Sequence, residues 1–176
     1  MIVKDFNDTI AIWTEALNRY SFAELTARPI PGRWSLGQIY MHLIRESGFF
    51  FDQVRICASN DENADEKMLP GGREMFLNNS FPDELIEGPP TNALVTQPES
   101  KEYLISRLAD LRSQIEDLGK LIAASSFNGK TRHPGLGFFS ARDWFQFAEM
   151  HFRHHLRQKA RVEKALAEGS NHFPVK

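Results

Sequence analysis

Two histidines near the C-terminal end of the chain, His151 and His155, have the residue type and the spacing of metal ligands. Residues four apart on an α-helix leave the same face one turn apart, so both imidazoles point in one direction. The same face carries Trp144, Ala148 and Val162, which marks it as the face that packs against the core. Neutral imidazoles are poor packing material but good ligands for divalent metal ions. The spacing therefore predicts part of a buried metal site, although histidines at this spacing also occur on exposed helix faces.

His42 is the third predicted ligand. It follows Ile39 by three residues and precedes Phe50 by eight, which places it on the inward stripe of another predicted helix. A lone histidine there is more often a hydrogen-bonded core residue, but three histidines on the inward stripes of two helices favour a shared site. Three protein nitrogens leave at least one coordination position open, as in catalytic zinc sites. We expect zinc or nickel, with iron or manganese as alternatives, because imidazole ligands alone do not select the metal.

The open position determines the chemistry that such a site can perform. It can hold a water molecule whose pKa is lowered to about 7, or the thiolate of a substrate or cosubstrate. Glu46 lies one turn after His42 and is the predicted general base, against the alternative of a partly exposed helix glutamate. Gln158 lies about one turn after His155 and can form a hydrogen bond to a metal ligand, with a capping or interhelical bond as an equal alternative. His154 is offset by about 100° and should face another direction.

Length and composition predict one soluble domain. A chain of 176 residues with 41% hydrophobic and 25% charged residues has enough apolar surface for a single core, so we expect one domain over residues 1–176. The formal net charge of −2 provides no basic surface for nucleic acid. The chain has no apolar run of about 18 residues, no secretory signal and a single cysteine, Cys57. These features predict a cytoplasmic protein that does not associate with membranes.

Apolar periodicity predicts an all-α fold, a four-helix bundle. The predicted helices run from about Phe6 to Tyr20, from Ser35 to about Ala58, from Pro98 to Ile122, and from Ser140 to about Ala167. Residues 59–97 form a long crossover between helices 2 and 3, which either carries short helices or has a function of its own. No segment of the sequence shows the alternation of a strand, and residues 133–137 are interpreted as a tight loop before helix 4.

Three motifs in the chain resemble those of the DinB superfamily, the DinB/YfiT-like metalloenzymes. The motifs are Gly32-Arg33-Trp34-Ser35-Leu36-Gly37-Gln38 followed by His42, Gly135-Leu136-Gly137 before Trp144, and His151-Phe152-Arg153-His154-His155-Leu156-Arg157-Gln158. The resemblance extends over about residues 5–166. It implies a four-helix bundle that binds a divalent metal ion through His42, His151 and His155 and that often forms a homodimer. It also implies similarity to transferases and isomerases that use a low-molecular-weight thiol.

Two functional hypotheses follow from these observations. The leading one is a metal-dependent enzyme with a small-molecule substrate, which performs thiol transfer to a small electrophile or metal-assisted hydrolysis. The alternative is a non-catalytic helical bundle, for stress response or small-ligand binding, with a structural or vestigial metal site. The run Phe49-Phe50-Phe51 covers about 200° of a helix, more than one neighbour can bury, so one ring faces an apolar pocket or a partner subunit.

Overall fold

The computed structural model describes residues 2–82 and 94–170, which form a bundle of long helices with a small β-hairpin. In chain order the elements are α1 (Ile2–Arg19), α2 (Phe22–Thr26), α3 (Leu36–Cys57), α4 (Pro70–Asn78), α5 (Lys101–Ala124), β1 (Lys130–His133), β2 (Gly137–Ser140) and α6 (Ala141–Ser170). The long helices α1, α3, α5 and α6 correspond to the four predicted helices. The predicted all-α fold class, a four-helix bundle, is therefore confirmed.

Two of the long helices, α3 and α6, start at the predicted positions, and side-chain hydrogen bonds cap their N-termini. Ser35 Oγ accepts a hydrogen bond from the Gln38 backbone N–H at 3.1 Å, and Gln38 Oε1 accepts one from the Ser35 N–H at 3.2 Å. A similar reciprocal pair joins residues 140 and 143 before α6. The third predicted helix needs a correction, because α5 begins at Lys101 with Ser100 as its cap. Pro98 therefore precedes the helix.

The hairpin of β1 and β2 is the clearest difference from the expectation of a chain without strands. The two strands pair antiparallel, from Lys130 opposite Ser140 to His133 opposite Gly137. β1 has the sequence Lys-Thr-Arg-His and contains no apolar residue, so it lacks the alternation that identifies a strand. Gly137 adopts φ +87°, and a Cβ there would lie 2.6 Å from the backbone nitrogen of Leu69. A glycine is therefore needed where the hairpin meets the crossover.

In the described part of the crossover between α3 and α5, residues 70–78 form a short helix, α4, and the chain just before it is hydrogen-bonded to the hairpin. Leu69 N–H donates to the Leu136 carbonyl at 2.9 Å. Asn79 ends α4 in the left-handed conformation, with φ 47°. The predicted crossover thus contains a helix, and its residues 83–93 lie outside the described part of the chain.

Aromatic rings from three helices fill the centre of the bundle. Phe6 of α1 packs edge-on against Phe51 of α3, with centroids 6.0 Å apart. It packs in the same way against Phe145 and Phe152 of α6, at 5.4 and 5.6 Å. Such edge-to-face pairs add to the burial of large apolar surfaces. These contacts hold α3 and α6 against a common helix, and the three predicted metal ligands lie on α3 and α6.

The structure shows which phenylalanines of the run 49–51 are buried and whether any helix could cross a membrane. Of the three consecutive phenylalanines, Phe50 and Phe51 are buried, whereas Phe49 is half exposed. Ile56, seven residues further along the same helix, is also exposed. Within residues 2–82 and 94–170, no helix combines the length and the apolar character that crossing a membrane requires.

Candidate metal centre

His42 on α3 meets His151 and His155 on α6 in the interior of the bundle. His42 Nε2 lies 3.2 Å from His151 Nε2, which itself lies 3.2 Å from His155 Nε2. One nitrogen of each ring lies within 4.8 Å of the other two. The exposed fractions of the three residues are 5%, 9% and 9%. The structure thus brings together the three histidines that the sequence singles out, and they are called the histidine triad below.

The spacing of the triad nitrogens fits a single divalent ion. Two nitrogens bound to one tetrahedral zinc ion at about 2.0–2.1 Å lie roughly 3.3–3.4 Å from each other. Two of the three observed separations, His42–His151 and His151–His155, are 3.2 Å and close to that value. The third pair, His42 and His155, lies within 4.8 Å. Each ring nitrogen carries at most one proton, so three nitrogens facing one point share few hydrogen bonds, whereas a metal ion uses all three lone pairs. This buried cluster could therefore hold a metal ion.

Burial keeps the three imidazoles neutral. Loss of solvation lowers the pKa of His42 from 6.5 to about 3 and the pKa of His155 from 6.5 to about 4. The pKa of His151 is lowered well below 6.5, first by burial and then by the neighbouring imidazoles. Neutral imidazole is the form that binds a metal ion, so the triad is in its metal-binding form throughout the physiological pH range.

The Nδ1 atoms of the three triad histidines differ in their hydrogen bonding. His155 Nδ1 lies 2.8 Å from Gln158 Oε1, so this nitrogen carries the proton and Nε2 keeps its lone pair toward the other histidines. The Nδ1 atoms of His42 and His151 are buried and have no hydrogen-bond partner among residues 2–82 and 94–170. An unpaired buried N–H costs roughly 1–3 kcal/mol. Coordination of a metal ion by the three Nε2 atoms would offset that cost.

Aromatic rings from three different parts of the chain surround the triad. One belongs to the loop before α3, one to α3 itself, and one to the crossover after α4. The centroid distances are 4.8 Å for Trp34–His42, 5.5 Å for Phe50–His151 and 6.0 Å for Phe81–His151. No pattern in the sequence identifies Phe81, because its position depends on the path of the crossover. Trp34 is signalled only by the motif that contains it.

Glu46, the predicted general base, lies outside the triad. Its carboxylate is paired with the neighbouring Arg45, whose Nε and Nη2 both donate to Oε1, at 3.0 and 2.8 Å. The side chain of Glu46 is 25% exposed. It does not belong to the group of three converging ligand atoms. Glu46 therefore lies one turn from His42 with access to solvent, and not among the nitrogens that could bind a metal ion.

Comparison with known proteins identifies a family. A family model described as the DinB superfamily matches residues 5–158 of the chain. The matched range includes all three triad histidines and ends at Gln158, the hydrogen-bond partner of His155. No curated protein and no solved structure matches the chain.

The lowered pKa values of the triad predict a pH dependence of stability for the metal-free protein. In the unfolded chain these histidines bind protons near pH 6.5, whereas in the folded chain the pKa is about 3 for His42 and about 4 for His155, and that of His151 is also well below 6.5. The unfolded state therefore binds more protons as the pH falls below about 6.5. The free energy of unfolding should be highest above that pH and should decrease below it, by up to about 1.4 kcal/mol per pH unit for each histidine. Urea unfolding with a chelator present, from about pH 7.5 to pH 5, measures this slope.

His155→Gln is the control for that slope. Burial also lowers the pKa of His133, so the variant removes one of four contributing imidazoles and the slope should decrease by roughly a quarter to a third. Carboxyl groups, whose ordinary pKa values are about 4, contribute equally to both proteins, so the difference between the two slopes reports the imidazole. A slope equal to that of the wild type would contradict the assignment of a neutral, buried imidazole at this position.

Proposed function

The chain belongs to the DinB superfamily, and from that premise we propose that it is a divalent-metal-dependent enzyme. In this proposal His42, His151 and His155 hold the metal ion, with zinc or nickel preferred and iron or manganese as alternatives. The reaction is thiol transfer to a small electrophile or metal-assisted hydrolysis of a small molecule. The convergence of three buried imidazole nitrogens carries the proposal, because neutral imidazoles 3.2 Å apart contribute little to the packing of an apolar core.

The residues around the triad support a division of roles. When bound, the metal ion would act as a Lewis acid and offer an open coordination position to a water molecule or a thiolate. Gln158 keeps the proton of His155 on Nδ1, which leaves the Nε2 lone pair directed into the site. Glu46 accepts the proton of the nucleophile, whether water or thiol. We assign this proton to Oε2, because both hydrogen bonds from Arg45 fall on Oε1.

The aromatic surroundings support a reaction of small organic molecules. Trp34, Phe50 and Phe81 place apolar surface beside the triad. Apolar walls exclude bulk water and so strengthen the electrostatic interactions of a bound nucleophile. We propose a low-molecular-weight thiol as cosubstrate for the transfer reaction, in keeping with the thiol-dependent transferases and isomerases that membership of the superfamily implies.

The proposal extends to assembly and compartment. We propose a homodimer, supported by the exposed apolar side chains of Phe49 and Ile56, which lie seven residues apart on one face of α3. We propose a cytoplasmic location, supported by the single cysteine, Cys57, which is buried and can form no intramolecular disulfide.

A second candidate function is that of a non-catalytic bundle for stress response or small-ligand binding, in which the metal site is structural or vestigial. The observation that favours it is the burial of the triad, since none of the three histidines is more than 9% exposed. An ion that joins two helices deep in a bundle can stabilise the fold without taking part in chemistry.

Replacement of one triad histidine tests the metal site. His155→Ala should abolish stoichiometric metal binding, because only two imidazoles remain to hold the ion. The measurement is metal content by inductively coupled plasma mass spectrometry, on protein purified without a metal-affinity tag. His154→Ala, at the adjacent position outside the triad, is the matched control and should retain metal. A wild-type protein that is metal-free and does not take up added zinc would overturn the proposal.

Glu46→Gln tests the general base. The amide preserves the size of the side chain but cannot accept the proton, so turnover should fall by about 10²–10⁴-fold while metal content stays constant. Turnover of zinc-loaded protein is measured with chlorodinitrobenzene and cysteine for thiol transfer, and with nitrophenyl acetate for hydrolysis. Glu15→Gln, at an exposed position of α1, is the control. Equal turnover in the two variants would remove Glu46 from the mechanism.

Removal of the metal distinguishes a catalytic site from a structural one. If the site is catalytic, the aromatic core should keep the metal-free protein folded, with its near-ultraviolet circular dichroism and one cooperative urea transition. If the site is structural, chelation should abolish both signals, because metal binding and folding are then coupled. We expect the first result, and loss of both signals on chelation would favour the non-catalytic bundle.

A further inference from the structure

A hydrogen-bonded clamp joins the crossover to α6. Arg153 Nη2 donates to the carbonyl oxygen of Asn79 at 2.8 Å and to Asn79 Oδ1 at 3.1 Å. The same guanidinium is held by Glu149, with Nε donating to Oε1 at 2.6 Å and Nη2 donating to Oε2 at 2.8 Å. Glu149, Arg153 and Asn79 are called the clamp below.

The clamp is rigid because its carboxylate is buried and fully engaged. Glu149 is only 4% exposed, and the Thr9 hydroxyl of α1 also donates to its Oε1, at 2.8 Å. A two-point pair between guanidinium and carboxylate fixes the plane of the guanidinium. Gln146 Nε2 adds a bond to Asn79 Oδ1 at 3.1 Å. The direction in which the chain leaves Asn79 is therefore determined by side chains of α6.

Phe81 follows the clamp by two residues and is placed against the triad. Its ring centroid lies 4.9 Å from that of Phe147, 6.0 Å from that of His151 and 5.2 Å from that of His154. Arg157 Nη2 donates to the carbonyl oxygen of the next residue, Pro82, at 3.2 Å. Hydrogen bonds on both sides of Phe81 thus hold its ring beside a predicted metal ligand.

Phe81 and Trp34 are more exposed to solvent than the triad histidines they contact. Of the three aromatic rings around the triad, Phe50 is buried, whereas Trp34 and Phe81 are half-buried. Trp34 contacts His42, and Phe81 contacts His151. The histidine of α3 and one histidine of α6 thus each have a half-buried aromatic ring beside them.

We propose that Phe81, positioned by the clamp, is a specificity-determining residue that selects ligands with an aromatic group next to their metal-binding atoms. The inference rests on the proposed function, since it requires a metal ion on the triad. Binding sites for small molecules are lined mainly by apolar and aromatic side chains, and aromatic pairs attract beyond their area burial. Arg153 acts as a positioning residue, because it reaches the site only through Asn79 and the chain that follows it.

Two small hydroxamates and cobalt-loaded protein test the role of Phe81. Acetohydroxamate and benzohydroxamate bind a metal ion through the same group and differ only in the methyl or phenyl group attached to it. The visible absorption of Co²⁺ reports their binding. The wild type should bind benzohydroxamate at least about tenfold more tightly, and Phe81→Ala should lose most of that preference. Leu77→Ala, at a position of the same crossover that is 85% exposed, should keep it.

Two further variants separate the aromatic wall from the clamp. Phe81→Leu keeps an apolar side chain and should retain part of the preference. Arg153→Lys keeps a positive charge beside Glu149 but cannot bind Glu149 and Asn79 in one planar arrangement. It should reduce the preference by about threefold while the affinity for cobalt stays unchanged. A purely structural role of Arg153 would alter stability and leave the ratio of the two hydroxamate affinities as in the wild type, which would remove the clamp from the inference.

The failure of the inference and the failure of the proposed function give different results. If the wild type binds cobalt and Phe81→Ala keeps the full preference for the phenyl group, the inference is wrong and the metal site stands. If the wild type binds no cobalt, which is seen before any hydroxamate is added, the proposed function is wrong and this inference falls with it.

Discussion

Three imidazole nitrogens converge between α3 and α6, and the surrounding residues must hold them in that position. Neutral imidazoles 3.2 Å apart, nearly removed from water, gain little from packing, so other contacts must hold them together. Phe6 of α1 provides such contacts, because it packs against Phe51 of α3 and against Phe145 and Phe152 of α6. The separation of the two helices that carry the triad is thus set by an aromatic core that does not itself bind a metal ion.

Much of this arrangement could be predicted from the sequence, because it follows from local periodicity. An inward stripe on a helix identifies which histidines face the core, and the inward stripes of two helices meet in a bundle. The capping box at Ser35 fixes the start of α3 and hence the depth of His42. The spacing of four between His151 and His155 likewise needs only the geometry of one helix. The helical fold and the histidine triad could therefore be predicted from the sequence.

The remaining parts depend on contacts between distant residues. β1 forms a strand without apolar residues, because its partner β2 and the crossover supply the packing. Phe81 reaches the triad through a bond between Arg153 and Asn79, which are 74 residues apart. Local periodicity contains no information about any of these contacts.

The triad histidines of α6 and its clamp residues lie on opposite sides of the helix. Glu149 and Arg153 each precede a triad histidine by two residues, so they leave the helix about 200° away from it. From the clamp, residues 79–81 bring Phe81 to the triad, so the position of Phe81 depends mainly on side chains of α6. Trp34 stands beside His42 and is carried by the loop that enters α3. A metal ion bound by histidines of both helices would therefore also fix the distance between these two aromatic side chains.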